Sequence, residues 1–186
     1  MSYSIFALEI AARTYPGDPF RRQLHELVRP HQQGPSRARH RAMVQRIVQS
    51  IASNFAAVDR GCWDYFDDHD KALADFDMWT KGMTTEEGVR HQPSPDPPPR
   101  YLTFTMAFLM VNGSMSDMVI RKRCEVAQSD LWKRSSFLQV LYAAAAINFS
   151  HVKADVTYLI PGDGNYALTP QDLATPKFHY LRMLAV

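Results

Sequence analysis

Hydrophobic residues recur along this chain with two different periods, and the switches between them mark out its elements. Residues 3–11 place Phe6, Leu8 and Ile10 at period two with Ile5 and Ala7 between them, which predicts a mostly buried strand. Asp18-Pro19 then offers a helix N-cap and a proline at the first helical position, and Phe20, Leu24, Leu27 and Val28 continue at helical spacing until Pro30. Ser36 is placed to cap a longer helix reaching about Asn54. Its apolar stripe is Val44, Ile47, Val48 and Ile51, with Arg39 and Arg46 opposite. Residues 55–66 keep no clean period and leave room for a short strand. Asp67 or Asp68 caps a third helix to about Lys81, which Gly82 stops, and Thr84-Thr85-Glu86-Glu87 reads as one more helical turn.

The pattern then breaks. Val89 to Arg100 carries Pro93, Pro95, Pro97, Pro98 and Pro99, an extended polyproline-like connector. It divides a helix-rich half (1–88) from a strand-helix-strand half (101–186) within a single domain spanning 1–186. Tyr101 to Val111 is the clearest strand. Leu102, Phe104, Met106, Phe108 and Met110 alternate with Thr103, Thr105, Ala107 and Leu109, so both faces are largely apolar and the strand is expected at the sheet centre, covered on both sides. Asn112-Gly113-Ser114 ends it. Ser129 or Asp130 opens a helix to about Asn148, Val152 to Ile160 alternates as a half-buried strand, 161–165 is a turn, and Thr169-Pro170 starts a last helical turn. The order predicts an α+β or α/β sandwich: helices packed on a small, mostly apolar sheet. Strand pairing is left open.

Composition narrows the class. With 186 residues, 46% of them hydrophobic and 22% charged, the chain is long and apolar enough for a real core. The longest apolar stretches, Phe104 to Val111 and Val140 to Ile147, fall well short of the ~18 residues of a membrane span. The N-terminus lacks a basic region and Glu9 interrupts its apolar run, which argues against a secretory signal. Two cysteines, Cys62 and Cys124, make neither a disulfide scaffold nor a zinc spacing, so reduced thiols in a cytoplasmic protein are expected.

Charge is segregated beneath a net of only +2. From Arg21 to Arg46 there are seven arginines and one acid (Glu26), a local net of +6; from Asp59 to Glu87 there are nine acids against Arg60, Lys71 and Lys81, a local net of −6. Arg37, Arg39, Arg41 and Arg46 are the candidates for binding phosphate, because guanidinium groups offer it bidentate donors. The alternative is that basic and acidic segments face one another or are simply solvated. Asp64, Asp67, Asp68, His69 and Asp70 gather oxygen and imidazole ligands suited to a divalent ion, although acids also favour a helix N-terminus. No His-x-x-x-His pair, Gly-x-Ser-x-Gly elbow or glycine-rich phosphate loop occurs; a Ser-His-Asp set assembled from distant positions stays open. Pro95 to Arg100 meets the Pro-x-x-Pro-x-Arg shape read by SH3-type grooves, or is a rigid connector. Trp63, Tyr65, Phe66 and Trp79 are candidates for a protein-contact surface, with core packing as the other reading.

The second half resembles an uncharacterised family. The residues that carry the resemblance are the threonine-bearing strand Tyr101 to Val111, the strand Asp155 to Ile160, the Pro/Gly/Asp turn, Leu168-Thr169-Pro170-Gln171-Asp172-Leu173, and Tyr180-Leu181-Arg182-Met183-Leu184. They are similar to the C-terminal part of a domain-of-unknown-function family of photosynthetic bacteria, plastids and other bacteria. The tryptophan of that family's final strand has no counterpart here. The resemblance implies no activity, so no catalytic residue is carried over. On these grounds the first expectation is a soluble, non-enzymatic interaction or adaptor protein without a cofactor, whose partner is another protein or a second copy. The alternatives are nucleic-acid or phosphate binding through the arginine-rich helix, and an enzyme with a metal-assisted site.

Overall fold

The strands form where alternation is strongest. In the computed structural model, which describes residues 2–29, 37–84, 99–162 and 166–185, β1 (Tyr3–Thr14), β2 (Val58–Phe66), β3 (Arg100–Val111), β4 (Val152–Ile160) and the two-residue β5 (Arg182–Met183) make one sheet. The order is β4-β3-β1-β2-β5, and every pairing is antiparallel. That settles the class as α+β. β1 pairs with β2 from its own half of the chain and with β3 from the other, so the two halves share one sheet. β1 and β3 are buried along nearly their whole length, as two-sided apolar alternation requires.

Period two then sorts the side chains between two layers. On one face Phe6, Leu8 and Ile10 of β1 and Phe104, Met106 and Phe108 of β3 pack under α1 (Pro19–Val28), α2 (Arg37–Ser53), α4 (Met115–Cys124) and α5 (Arg134–Ala145). The Phe6 and Phe108 rings stack at 6.5 Å, and Phe149 meets Phe108 edge-on at 5.8 Å. Gly61 of β2 lets the Phe137 ring of α5 come so close that a Cβ there would stand 2.4 Å from it. On the other face lie α3 (His69–Thr84) and a C-terminal strap, residues 166–181, which includes α6 (Pro170–Leu173). The basic helices α1 and α2 and the acidic helix α3 therefore sit on opposite faces of the sheet.

Local signals explain the helix ends. Asp18 accepts from the Phe20 amide at 3.0 Å with Pro19 in the first turn, as the sequence predicts. Asp68 caps α3, accepting from the Lys71 amide at 2.9 Å. Four expectations are corrected. β2 is a full nine-residue strand, not a short one. α3 runs through Gly82 to Thr84. α5 begins at Arg134, because 128–130 form a 3-10 turn first. α4 was not expected: it is capped by Ser114, but Ile120 is its only buried apolar residue, so it shows no stripe. The connector at 89–98, the turn at 85–87 and residues 163–165 lie outside the described residues. Among the described residues no helix is long and apolar enough to cross a membrane.

Candidate functional site

The second face of the sheet departs from a normal core. Register places Cys62, Glu9, Thr105 and Tyr158 side by side in one row across β2, β1, β3 and β4. The next row includes Ala11 and Thr103, and the one on the other side Ala7 and Ala107. The middle of this face is thus made of small or polar side chains, where the opposite face carries Phe, Leu, Ile and Met. Beside this row, between the sheet, α3 and the strap, is a cavity of about 800 Å³. Cys62, Tyr158 and Ile160 contribute from the sheet, Met78 and Trp79 from α3, Tyr180 from the strap and Trp132 from the loop before α5. Trp79 and Tyr180 meet edge-on at 5.7 Å and hold that wall together. Gly82 is needed where α3 crosses Tyr158, since a Cβ there would stand 2.6 Å from the Tyr158 hydroxyl.

Glu9 lies behind this wall at 1% exposure. The Tyr180 hydroxyl donates to its Oε2 at 2.9 Å, while Oε1 receives no donor in hydrogen-bonding geometry. Burial raises its pKa from 4.5 to about 7, against the opposing pull of Tyr180, Thr105, Thr103 and the Lys177 ammonium. Burial, and then the charge of Glu9, push the hydroxyls of Tyr180 and Tyr158 and the thiol of Cys62 upward. The Cys124 thiol is pushed up to about 12, mainly by burial. Both cysteines are free, and neither is a thiolate near neutrality. The arrangement is one carboxyl that titrates near neutral pH, hydrogen-bonded to a tyrosine that lines the cavity. Such a pair can hold or give up a proton beside a bound molecule.

Charge at the cavity is positive. Among the described residues Lys81, Lys177 and Arg182 line it with Asp64 as the one acid, and His179 stands beside them. Lys81 is bridged to Asp77 at 2.5 Å, and the His179 Nδ1 lies 2.5 Å from the Pro176 carbonyl, to which it donates. Burial first, and then Asp75, raise the pKa of Asp64.

The residues expected from sequence to form sites are distributed differently. The aromatic group does not make one surface, because β2 alternates. Trp63 and Tyr65 pack against the α1-α2 core, whereas Phe66 and the buried Trp79 belong to the α3 side. Tyr65 donates to Asp117 at 2.7 Å and accepts from Arg121 at 3.0 Å, and Lys71 covers the Phe66 ring. The metal candidates do not converge. Asp67 pairs with Arg121 at 2.8 Å, Asp68 caps α3, His69 accepts from the Tyr3 amide at 3.3 Å, and Asp70 is exposed in the first turn. Among the described residues no three His, Cys, Asp or Glu side chains are grouped to hold a metal ion. Arg39, Arg41 and Arg46 are exposed on α2; the side chain of Arg37 lies outside the described residues. Ser116 and His151 do meet, at 3.0 Å, but the serine oxygen also accepts from the Asn148 amide. The pair ties α4 to the turn before β4 and takes no part in the cavity wall.

The fold and this cavity define an α+β protein with an aromatic-walled pocket over a buried carboxyl. Beyond that class, no protein-family model, no curated protein and no solved structure matches the chain.

Proposed function

We propose that the protein binds a small organic anion with an aromatic or aliphatic body, in the cavity between the sheet, α3 and the strap. The observation that supports it is the lining: Trp79, Trp132, Tyr158 and Tyr180 around about 800 Å³, with three cations against one acid. Aromatic walls bury an apolar body, and a few charged groups select its head. A cationic ligand would suit the rings but meet Lys81, Lys177 and Arg182. Protein contact through Trp63, Tyr65, Phe66 and Trp79 has less behind it, because those four side chains are split between two faces. Phosphate binding through Arg39, Arg41 and Arg46 rests on exposed arginines with no enclosure around them. The two free thiols suit a reducing compartment.

The test is fluorescence titration with 8-anilinonaphthalene-1-sulfonate and with its uncharged relative N-phenyl-1-naphthylamine. The sulfonate is expected to bind more tightly. The double variant Lys177→Glu/Arg182→Glu should weaken the sulfonate by about tenfold or more and leave the neutral probe unchanged. Equal loss for both probes would remove the anion preference, and no binding of either would remove the reading.

A further inference from the structure

We propose that Tyr180 is the hydrogen-bond donor that reads the anionic head of the ligand, and that a proton on Glu9 arms it, so that ligand and proton bind together. The inference rests on the ligand-binding reading above and adds the polar group that reads the head and the condition under which it works.

The geometry leads there step by step. An ionised carboxyl can only accept hydrogen bonds. While Glu9 is ionised, the Tyr180 O–H is committed to Oε2 at 2.9 Å, and the phenol can only accept from a molecule in the cavity. A protonated Glu9 has an O–H of its own. It donates to the Tyr180 oxygen, the hydrogen bond reverses, and the Tyr180 O–H, on a residue that lines the cavity, is released from the carboxyl. Oε1, with no donor, shows that the ionised form is incompletely satisfied where it stands. Only protons move in this step, from solvent to Glu9 and across the Glu9–Tyr180 bond. A titration point near 7 places the event in the physiological range.

The groups facing Glu9 are Cys62 from β2, Thr103 and Thr105 from β3, Tyr158 from β4, and Tyr180 and Lys177 from the strap. At the cavity itself Asp64, Lys81, His179 and Arg182 also carry or acquire charge. The His179→Gln variant below separates that side chain's contribution from that of Glu9.

The experiment is the affinity for 8-anilinonaphthalene-1-sulfonate, whose sulfonate stays ionised, from pH 5.5 to 8.5. If only the form with neutral Glu9 binds, affinity falls about tenfold between pH 6 and pH 8. Glu9→Gln should bind as the wild type does at pH 6 and show no pH dependence. Tyr180→Phe should lose about fivefold at pH 6. His179→Gln and Asp64→Asn, at residues that line the cavity, should shift the affinity but leave the roughly tenfold fall between pH 6 and pH 8 in place. The wild-type chain alone provides a second readout: calorimetry in buffers of different ionisation enthalpy should show close to one proton taken up per ligand at pH 8 and almost none at pH 5.5. A flat wild-type profile, or a profile lost in His179→Gln, would overturn this inference while leaving the anion pocket standing. No binding at any pH would overturn both.

Discussion

The two faces of the sheet are built by the same four long strands, yet they serve opposite ends. Under α1, α2, α4 and α5 the inward positions are Phe6, Leu8, Ile10, Phe104, Met106 and Phe108, all fully buried and closely packed. One residue along each strand, on the other face, stand Ala7, Glu9, Ala11, Thr103, Thr105 and Ala107. Bulk on the first face excludes water and supplies stability. The second face carries small and polar residues beside a cavity, and among them a carboxyl where water cannot solvate it. A sheet that is buried on both sides can therefore be stable through one face and chemically poised through the other. The way to test that division is to perturb each face and compare what is lost.

The largest effect is expected on the packed face. Phe108 touches two ring partners, Phe6 and Phe149, and is wholly buried. Phe108→Ala should cost about 3–5 kcal/mol in urea unfolding, through lost transfer energy and the cavity left behind. The loss should be large at pH 5 and at pH 8 alike, since its ring partners Phe6 and Phe149 carry no ionisable group. A loss below about 1 kcal/mol would mean that this face does not carry the stability.

Glu9 should behave in the opposite sense. Its folded pKa is raised from 4.5 to about 7. Between those values the native state holds a proton that the unfolded state has released. The favourable contribution is complete below the unfolded value and is lost as pH rises through 7, so above 7 the wild type keeps a buried charge at a cost. Glu9→Gln removes that charge. It should stabilise the protein at pH 8 by up to about 3 kcal/mol, and most of the gain should vanish by pH 5. Equal urea midpoints for the variant and the wild type at pH 8 would show that Glu9 is better solvated than its burial implies.

The contrast between the faces was partly visible in the residues themselves. Two-sided apolar alternation at 3–11 and 101–111 placed the two central strands, and Asp18-Pro19 placed the start of α1, because these signals are local. α4 was missed because Met115, Met118 and Val119 point outward and no apolar stripe marks the helix. The candidate groups read from the chain are dispersed for a related reason. Density along the chain, as in Asp64 to Asp70 or Trp63 to Phe66, says nothing about which side of a strand or which end of a helix each residue takes. Glu9 did carry a signal: it is the one acid in an otherwise apolar strand. Its neighbours Cys62, Thr105, Tyr158 and Tyr180 come from four distant segments, and only the antiparallel register and the strap bring them to it.

The smallest and sharpest comparison uses two tyrosines, each donating to one buried carboxyl. On the packed face Tyr65 donates to Asp117 at 2.7 Å; on the cavity face Tyr180 donates to Glu9 at 2.9 Å. Asp117 has other support, since the Gly113 amide donates to its Oδ2 at 2.8 Å and Arg121 lies 3.8 Å from that oxygen. Tyr65→Phe should therefore cost about 1 kcal/mol, the net worth of one hydrogen bond, with little change between pH 5 and pH 8. Glu9 has no donor on Oε1, so Tyr180 is the principal group favouring its ionised form. Removing the Tyr180 hydroxyl raises the folded pKa further above 4.5 and deepens the penalty of the charged state, while the neutral state loses only the weaker bond between two uncharged partners. Tyr180→Phe should then cost about 1–2 kcal/mol at pH 8 and less than half of that at pH 5. Parallel urea titrations of the two variants at both pH values give the answer. If the two tyrosines respond to pH alike, the cavity face holds no poised carboxyl and the two sides of the sheet differ only in packing.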